Sequence, residues 1–96
     1  MPQIILVPKA QDNLKKLHDF IAKERPESAK EAVKVIIGGI EKLILFPEIG
    51  VPDANLTGLR TLIIPFGKSG YSVFYKWKEG DELLKVLKIK HDKQIN

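Results

Sequence analysis

The chain contains no cysteine and only two histidines, His18 and His91. The absence of cysteine excludes disulfide bonds and thiolate metal ligands, and two histidines without cysteine do not favour a protein-held zinc site. We therefore expect no metal and no cofactor. The lack of thiols also fits the cytoplasm, which is the expected location.

Long apolar runs are lacking as well. The N-terminal segment has only four consecutive apolar residues, Ile4 to Val7, which is too short for a signal peptide. No run approaches the roughly 18 residues that a membrane span needs, so no membrane association is expected. A length of 96 residues with 44% hydrophobic and 29% charged content indicates one globular domain over residues 1–96.

The charged residues are distributed unevenly. Residues 1–56 hold eight Lys and Arg against eight Asp and Glu, whereas residues 57–96 hold eight against four and carry the whole net charge of +4. An excess of this kind favours binding to a nucleic acid or to an acidic protein surface. The charge alone does not distinguish the two.

The first half of the chain predicts one strand and two helices, which are Gln3–Val7, Lys9–Lys23 and Glu27–Phe46. Apolar side chains recur at helical spacing in both helices. The first stripe comprises Ala10, Leu14, Leu17, Phe20 and Ile21, and the second comprises Ala29, Val33, Ile36, Ile40 and Leu43. Pro26 ends the first helix and suits the first turn of the second, so the two should form an antiparallel hairpin.

Two glycines, Gly38 and Gly39, fall in the middle of the second helix. Each costs about 1 kcal/mol relative to Ala at such a position. A crowded crossing where another backbone comes close is the favoured explanation. The alternative is a kink or a docking face for a partner helix.

The second half predicts a loop over residues 48–58 and then three strands, Leu59–Phe66, Tyr71–Trp77 and Leu83–Lys90. Pro65 argues for an edge position or a bulge. Alternation places Tyr71, Val73, Tyr75 and Trp77 on one face, which is more typical of a core than of a base-stacking platform. The expected fold is therefore α+β, with the helical hairpin packed on one face of a small, mostly antiparallel sheet whose other face is partly open and basic.

Complete catalytic motifs are missing, and basic residues of the predicted sheet are the remaining candidates for function. We predict a target-binding surface made of Arg60, Lys76, Lys85, Lys88, Lys90, His91 and Lys93. Arg can clamp a phosphate and His can move a proton near neutral pH, so Arg60 and His91 are candidate catalytic residues if the chain is a metal-free ribonuclease. The alternative is a solvated edge whose lysines prevent aggregation.

Several short motifs follow one another along the chain. They are Asp12-x-Leu14 after Ala10, Pro26 in the hairpin, Pro47-x-x-Gly50, Gly58-Leu59-Arg60, Tyr71-x-x-x-Tyr75 and Ile89-x-His91-x-x-Gln94. None is specific alone, but the ordered set resembles the RelE/ParE superfamily of toxins from type II toxin–antitoxin systems. The resemblance covers nearly the whole chain and implies the α+β fold described above, with a curved sheet.

Within that superfamily the chain is most similar to the ParE branch, through Leu59-Arg60 and His91-x-x-Gln94. This resemblance implies a toxin that inhibits DNA gyrase without catalytic residues of its own. The alternative is the RelE branch, whose members cut mRNA on the ribosome. Ser69-Gly70-Tyr71 and His91 match that branch, whereas Ser72, Ile63 and Pro65 stand where it carries basic residues. A second alternative is a diverged, weakly toxic member that only binds an antitoxin.

The resemblance also implies a protein partner. A cognate antitoxin of this kind is a small acidic protein with a disordered segment that folds on the toxin, giving a toxin–antitoxin hetero-oligomer. The predicted receiving surface is the apolar side of the helical hairpin, at Leu17, Ile21, Ile36 and Ile40. The target would be DNA gyrase, or the ribosome with its mRNA.

Overall fold

Seven elements make up the fold in a computed structural model that describes residues 1–92. They are β1 (Gln3–Leu6), α1 (Pro8–Ala22), α2 (Pro26–Leu45), β2 (Val51–Pro52), β3 (Leu59–Phe66), β4 (Ser69–Lys76) and β5 (Leu83–His91). Six of them were predicted, with ends that differ by at most two residues. The exception is β2, which lies within the segment predicted as a loop and pairs with Arg60 and Thr61 of β3. Two residues are too few to show an alternating pattern, so the sequence gives no signal for it.

Both helices begin at a proline, and three residues separate them. Pro8 and Pro26 occupy the first helical position, where a missing N–H costs nothing. Glu27 in the first turn of α2 and Lys42 in its last turn both interact favourably with the helix dipole. The short connection confirms the antiparallel hairpin. No helix within residues 1–92 has both the length and the apolar character to cross a membrane.

The five strands form one sheet in the order β1-β5-β4-β3-β2. The β1 strand runs parallel to β5, and the other pairs are antiparallel. The fold is therefore α+β with a mostly antiparallel sheet, as predicted. Because β2 covers only Arg60 and Thr61 of β3, Pro65 lies on an uncovered edge, which confirms its predicted position.

The core lies between the helical hairpin and one face of the sheet, called here the inner face. Its buried side chains are Ala10, Leu17, Ala32, Ile36, Ile40, Leu43, Ile64, Tyr71, Val73, Tyr75, Leu84, Val86 and Ile89. The predicted inward set of β4 is thus correct, with Trp77 half-buried against the same cluster. The opposite face of the sheet, the outer face, is covered by neither helix.

A β-bulge between β4 and β5 decides which side chains reach the outer face. Tyr75 is opposite Val86 but Phe74 is opposite Lys88, so Leu87 is the extra residue. In a regular strand, positions 85 and 88 would point to opposite faces, because side chains alternate. The extra residue brings Lys85 and Lys88 to the same face.

Gly39 and Gly38 of α2 have different surroundings. A Cβ atom on Gly39 would lie 2.5 Å from Cδ1 of Ile64, on β3. Gly39 is therefore crowded, but a side chain makes the close approach, so the predicted crossing with another backbone is wrong. A Cβ atom on Gly38 would meet nothing within 4 Å.

Candidate functional site

Four of the predicted target-binding lysines lie on the outer face, and they are called here the lysine face: Lys76, Lys85, Lys88 and Lys90. The strand register places Lys76 directly opposite Lys85. Like charges in that arrangement destabilise a sheet, so the pair is not there for stability. Within residues 1–92, no ion pair involves these four side chains.

Phe74 lies in the middle of the lysine face. Its ring centroid is 5.6 Å from Nζ of Lys88, which is within cation–π range. Phe74 is only half-buried, so an aromatic surface accompanies the charges. The lysine face can therefore bind anions and also contact a planar or apolar group.

Arg60 lies apart from the lysine face. It is opposite Tyr75 on the inner side of β3. Its Nη1 donates to the carbonyl oxygens of Glu48 and Gly50, at 2.8 and 2.9 Å. These two bonds hold the chain that follows α2 against the sheet.

Tyr75 completes this attachment from the core. Its hydroxyl donates to the carbonyl of Pro47 at 2.7 Å and accepts from the N–H of Gly50 at 2.9 Å. Burial raises the pKa of Tyr75, although the Gly50 N–H and the Arg60 charge act in the opposite direction. A side chain on Gly50 would overlap the tyrosine ring. We call this arrangement of residues 47–50, Arg60 and Tyr75 the clamp.

His91 lies at the other end of β4, opposite Tyr71. The two rings are edge to face with centroids 5.3 Å apart, and Nε2 of His91 is 3.4 Å from Oγ of Ser69. Arg60 pairs with Tyr75, and His91 pairs with Tyr71. These two β4 residues are four positions apart, a distance of about 13 Å along the strand. The structure therefore does not bring the two candidate catalytic residues to one phosphate.

Ser72 and Asp92 border the lysine face near His91. Oγ of Ser72 donates to Oδ1 of Asp92 at 2.8 Å. Ser72 stands where the RelE branch carries a basic residue, and its partner here is a carboxylate. The Asp92 carboxylate lowers the positive charge at this end of the outer face. Lys93 and Gln94 lie outside the described residues.

A groove of about 500 Å³ runs between α1 and the end of β5, and it is called here the α1 groove. It is lined by Asn13, Lys16, Leu17, Phe20, Ile21, Ile89 and His91. A second depression of about 310 Å³ continues it past Phe20 and Ile21 to Lys23, Glu24 and Arg25. Together they form an apolar channel with basic side chains at its rim.

The α1 groove exists because β5 is longer than its neighbour β1. The pairing of β1 ends at Leu6, opposite Val86, and further along β5 Oδ1 of Asn13 accepts from the N–H of Ile89 at 3.0 Å. An α1 side chain thus replaces the missing strand and leaves a space beside it.

The predicted antitoxin-binding residues divide into two groups. Leu17 and Ile21 line the α1 groove, whereas Ile36 and Ile40 are buried in the core and present no surface to a partner. Phe20, expected on the core stripe of α1, is 75% exposed. It lies at the flank of that stripe and lines the α1 groove. Sequence reasoning missed it as a groove residue, and it also missed Asn13, Lys16 and Ile89.

Comparisons with known proteins give a consistent result. A family model described as the ParE toxin of the type II toxin–antitoxin system parDE matches residues 4–96. Among solved structures, a chain described as "Chromosomal ParDE TA system from P. aeruginosa" is similar, with a TM-score of 0.77 and 22% sequence identity. That alignment covers 97% of this chain and 98% of the other, and at this identity it shows the fold alone. No curated protein matches the sequence.

Proposed function

Because the chain belongs to the ParE toxin family of type II toxin–antitoxin systems, we propose that it inhibits DNA gyrase by binding and is neutralised by a cognate antitoxin. The observation that carries this proposal is the lysine face, where four cations without ion-pair partners among the described residues lie on the sheet face that no helix covers. Gyrase works on DNA, so its working complex offers phosphates to such a face. The proposal includes a cytoplasmic location, because gyrase and such an antitoxin act there.

The lysine face is suited to DNA held by gyrase. Phosphate contacts by lysine provide affinity that is independent of sequence and sensitive to salt. Phe74 adds an aromatic surface among the lysines. Contacts of this kind would hold the toxin on the enzyme–DNA complex and stop its cycle without any chemical step by the toxin.

Binding is favoured over RNA cleavage by the positions of Arg60 and His91. A cleavage step needs the proton-transfer group and the charge-stabilising group at one phosphate. These two residues are separated along β4, and Nη1 of Arg60 already donates to two backbone carbonyls. The ribonuclease alternative would have to use other residues.

The α1 groove is the proposed antitoxin site. It offers an exposed aromatic side chain, Phe20, between apolar walls, which suits the anchors of an amphipathic helix. Lys23 and Arg25 at its end suit the acidic residues of an antitoxin. We expect a small acidic protein to be encoded beside this one.

The gyrase proposal is tested by a supercoiling assay with purified gyrase. We expect the wild-type protein to block supercoiling or to accumulate cleaved DNA. A variant with all four lysines of the lysine face changed to Gln should lose about tenfold or more of this inhibition at moderate salt, since each phosphate contact releases counterions.

The matched control changes Lys9, Lys15, Lys30 and Lys34 to Gln. These four are exposed on the helices, so the net charge falls equally while the outer face is unaltered. Normal supercoiling in a large excess of wild-type protein would remove the gyrase proposal. Equal losses in the two variants would show that net charge, rather than the lysine face, governs inhibition.

A further inference from the structure

Exposed apolar side chains are concentrated in one segment of the chain. Within residues 1–92, ten large hydrophobic side chains are exposed, and five of them lie between positions 45 and 56. They are Leu45, Phe46, Ile49, Val51 and Leu56, and we call them the 45–56 strip. Concentrations of exposed apolar surface on a small protein mark interaction sites.

The backbone that carries this strip is held at several points. The clamp fixes residues 47–50, and β2 pairs with β3. Further along, Oδ1 of Asp53 accepts from the N–H groups of Asn55 and Leu56, at 2.8 and 2.9 Å. The N–H of Asp53 donates to the carbonyl of Leu59 at 2.8 Å. A segment fixed in this way loses little conformational freedom on binding, which favours affinity.

The charge around the strip is opposite to that of the molecule. Residues 41–58 contain Glu41, Glu48 and Asp53 against Lys42, a net charge of −2 in a chain of +4. Arg60 of the clamp adds one positive charge beside the strip, so the net charge there is −1. This sign disfavours DNA and disfavours an acidic antitoxin. It suits a protein surface that combines apolar and basic side chains.

A concave site adjoins the strip and has the same character. A cavity of about 620 Å³ is lined by Leu45 and Pro47 and also by Asp81 and Glu82. Its lining residues include no Lys, Arg or His. A Lys or Arg of a partner could place its stem on the apolar wall and its charge beside the two carboxylates.

We propose that the 45–56 strip is a second contact of the toxin with its target, made with a folded protein surface of apolar side chains rimmed by Lys and Arg. The inference rests on the proposed function and assigns two surfaces of the toxin to the gyrase–DNA complex. The lysine face contacts DNA, and the strip contacts the enzyme. No residue of the strip or of the cavity beside it lines the α1 groove, so the proposed surfaces for target and antitoxin are separate.

The test uses a triple variant, Phe46→Ser, Ile49→Thr and Leu56→Ser, in which all three side chains are exposed. Phe46→Ser alone is compared with Phe20→Ser, the same change at an exposed Phe that lies on neither the strip nor the lysine face. The measurements are growth on induced expression, affinity for purified DNA gyrase and the thermal unfolding midpoint. We expect the triple variant to bind gyrase about tenfold or more weakly and to permit growth, with its unfolding midpoint maintained. The control Phe20→Ser should bind gyrase and arrest growth as the wild type does.

Each other outcome has a definite meaning. A triple variant that binds gyrase and arrests growth as the wild type does overturns the inference. Dimerisation of the wild type through the strip, with unchanged gyrase affinity in the variant, also overturns it. If the wild-type protein arrests growth without binding gyrase, the gyrase proposal is removed. Loss of that growth arrest in the triple variant would still support the strip as a contact with the target. If the wild-type protein neither arrests growth nor binds gyrase, both the gyrase proposal and the inference about the strip are overturned.

Discussion

Tyr75 and Arg60 connect three of the motifs by which the sequence resembles toxins. Both bind the segment from Pro47 to Gly50 through its backbone. These motifs therefore identify the family through its fold rather than through chemistry. The same residue types would have suited a phosphate site, and only their hydrogen bonds show that they stabilise the loop after α2.

The change Tyr75→Phe should destabilise the protein by about 1–3 kcal/mol, because the carbonyl of Pro47 and the N–H of Gly50 would remain buried without a partner. The measurement is the free energy of unfolding in urea. Tyr71→Phe is the control, since Tyr71 is also buried but no hydrogen bond of its hydroxyl occurs within residues 1–92. Equal losses in the two variants would contradict the role given to the Tyr75 hydroxyl.

Alkaline pH should unfold the protein through the same two tyrosines. Burial raises the pKa of both Tyr71 and Tyr75 above the ordinary value of 10.0. The folded state therefore favours the neutral phenol, and its stabilising contribution is complete below about pH 10. That contribution is lost as the pH rises through the folded pKa values. Unfolding free energies measured from neutral to alkaline pH should fall in the wild type and fall less in a Tyr71→Phe, Tyr75→Phe variant. An equal fall in both would contradict the prediction.

At the level of elements, the bulge in β5 has the largest consequence. It places Lys85 and Lys88 on one face although their spacing assigns them to two. The sequence predicts β5 and its basic character, but alternation alone cannot locate an extra residue inside a strand. The lysine face therefore depends on how β5 pairs with β4 as much as on its composition.

The two glycines of α2 offer a matched pair of substitutions. Gly38→Ala should stabilise the protein by about 0.5–1 kcal/mol, because Ala has the higher helix propensity and its Cβ meets open space. Gly39→Ala should destabilise it by about 1 kcal/mol, because Ile64 must move from its packed position. Thermal unfolding of both variants would check this. Equal stabilisation of the two would show that Ile64 adjusts without cost.

For the whole molecule, the arrangement separates three surfaces. The outer face of the sheet is basic, the α1 groove is apolar with a basic rim, and the 45–56 strip is apolar with an acidic surround. A toxin needs a surface for its target and a surface for its antitoxin. Separate surfaces predict that each function can be removed by itself.

Phe20→Ser tests this separation for the antitoxin. We expect the variant to arrest growth as the wild type does but to escape neutralisation when it is coexpressed with the small acidic protein encoded beside it. Phe20 is 75% exposed, so its replacement should not disturb the core. Phe46→Ser is the matched control and should retain the antitoxin in copurification. Full neutralisation of the Phe20 variant would place the antitoxin elsewhere.

The sequence by itself determined the α+β class, six of the seven elements, the inward face of β4 and the family. Those features depend on local periodicity, on proline positions and on motif order, all of which act over a few residues. The tertiary structure decided the rest. It buried Ile36 and Ile40, exposed Phe20, used Arg60 in the clamp and gathered four lysines on one face. Those outcomes depend on which strand ends first and where a bulge falls, and such pairings between distant segments leave no local pattern in the sequence.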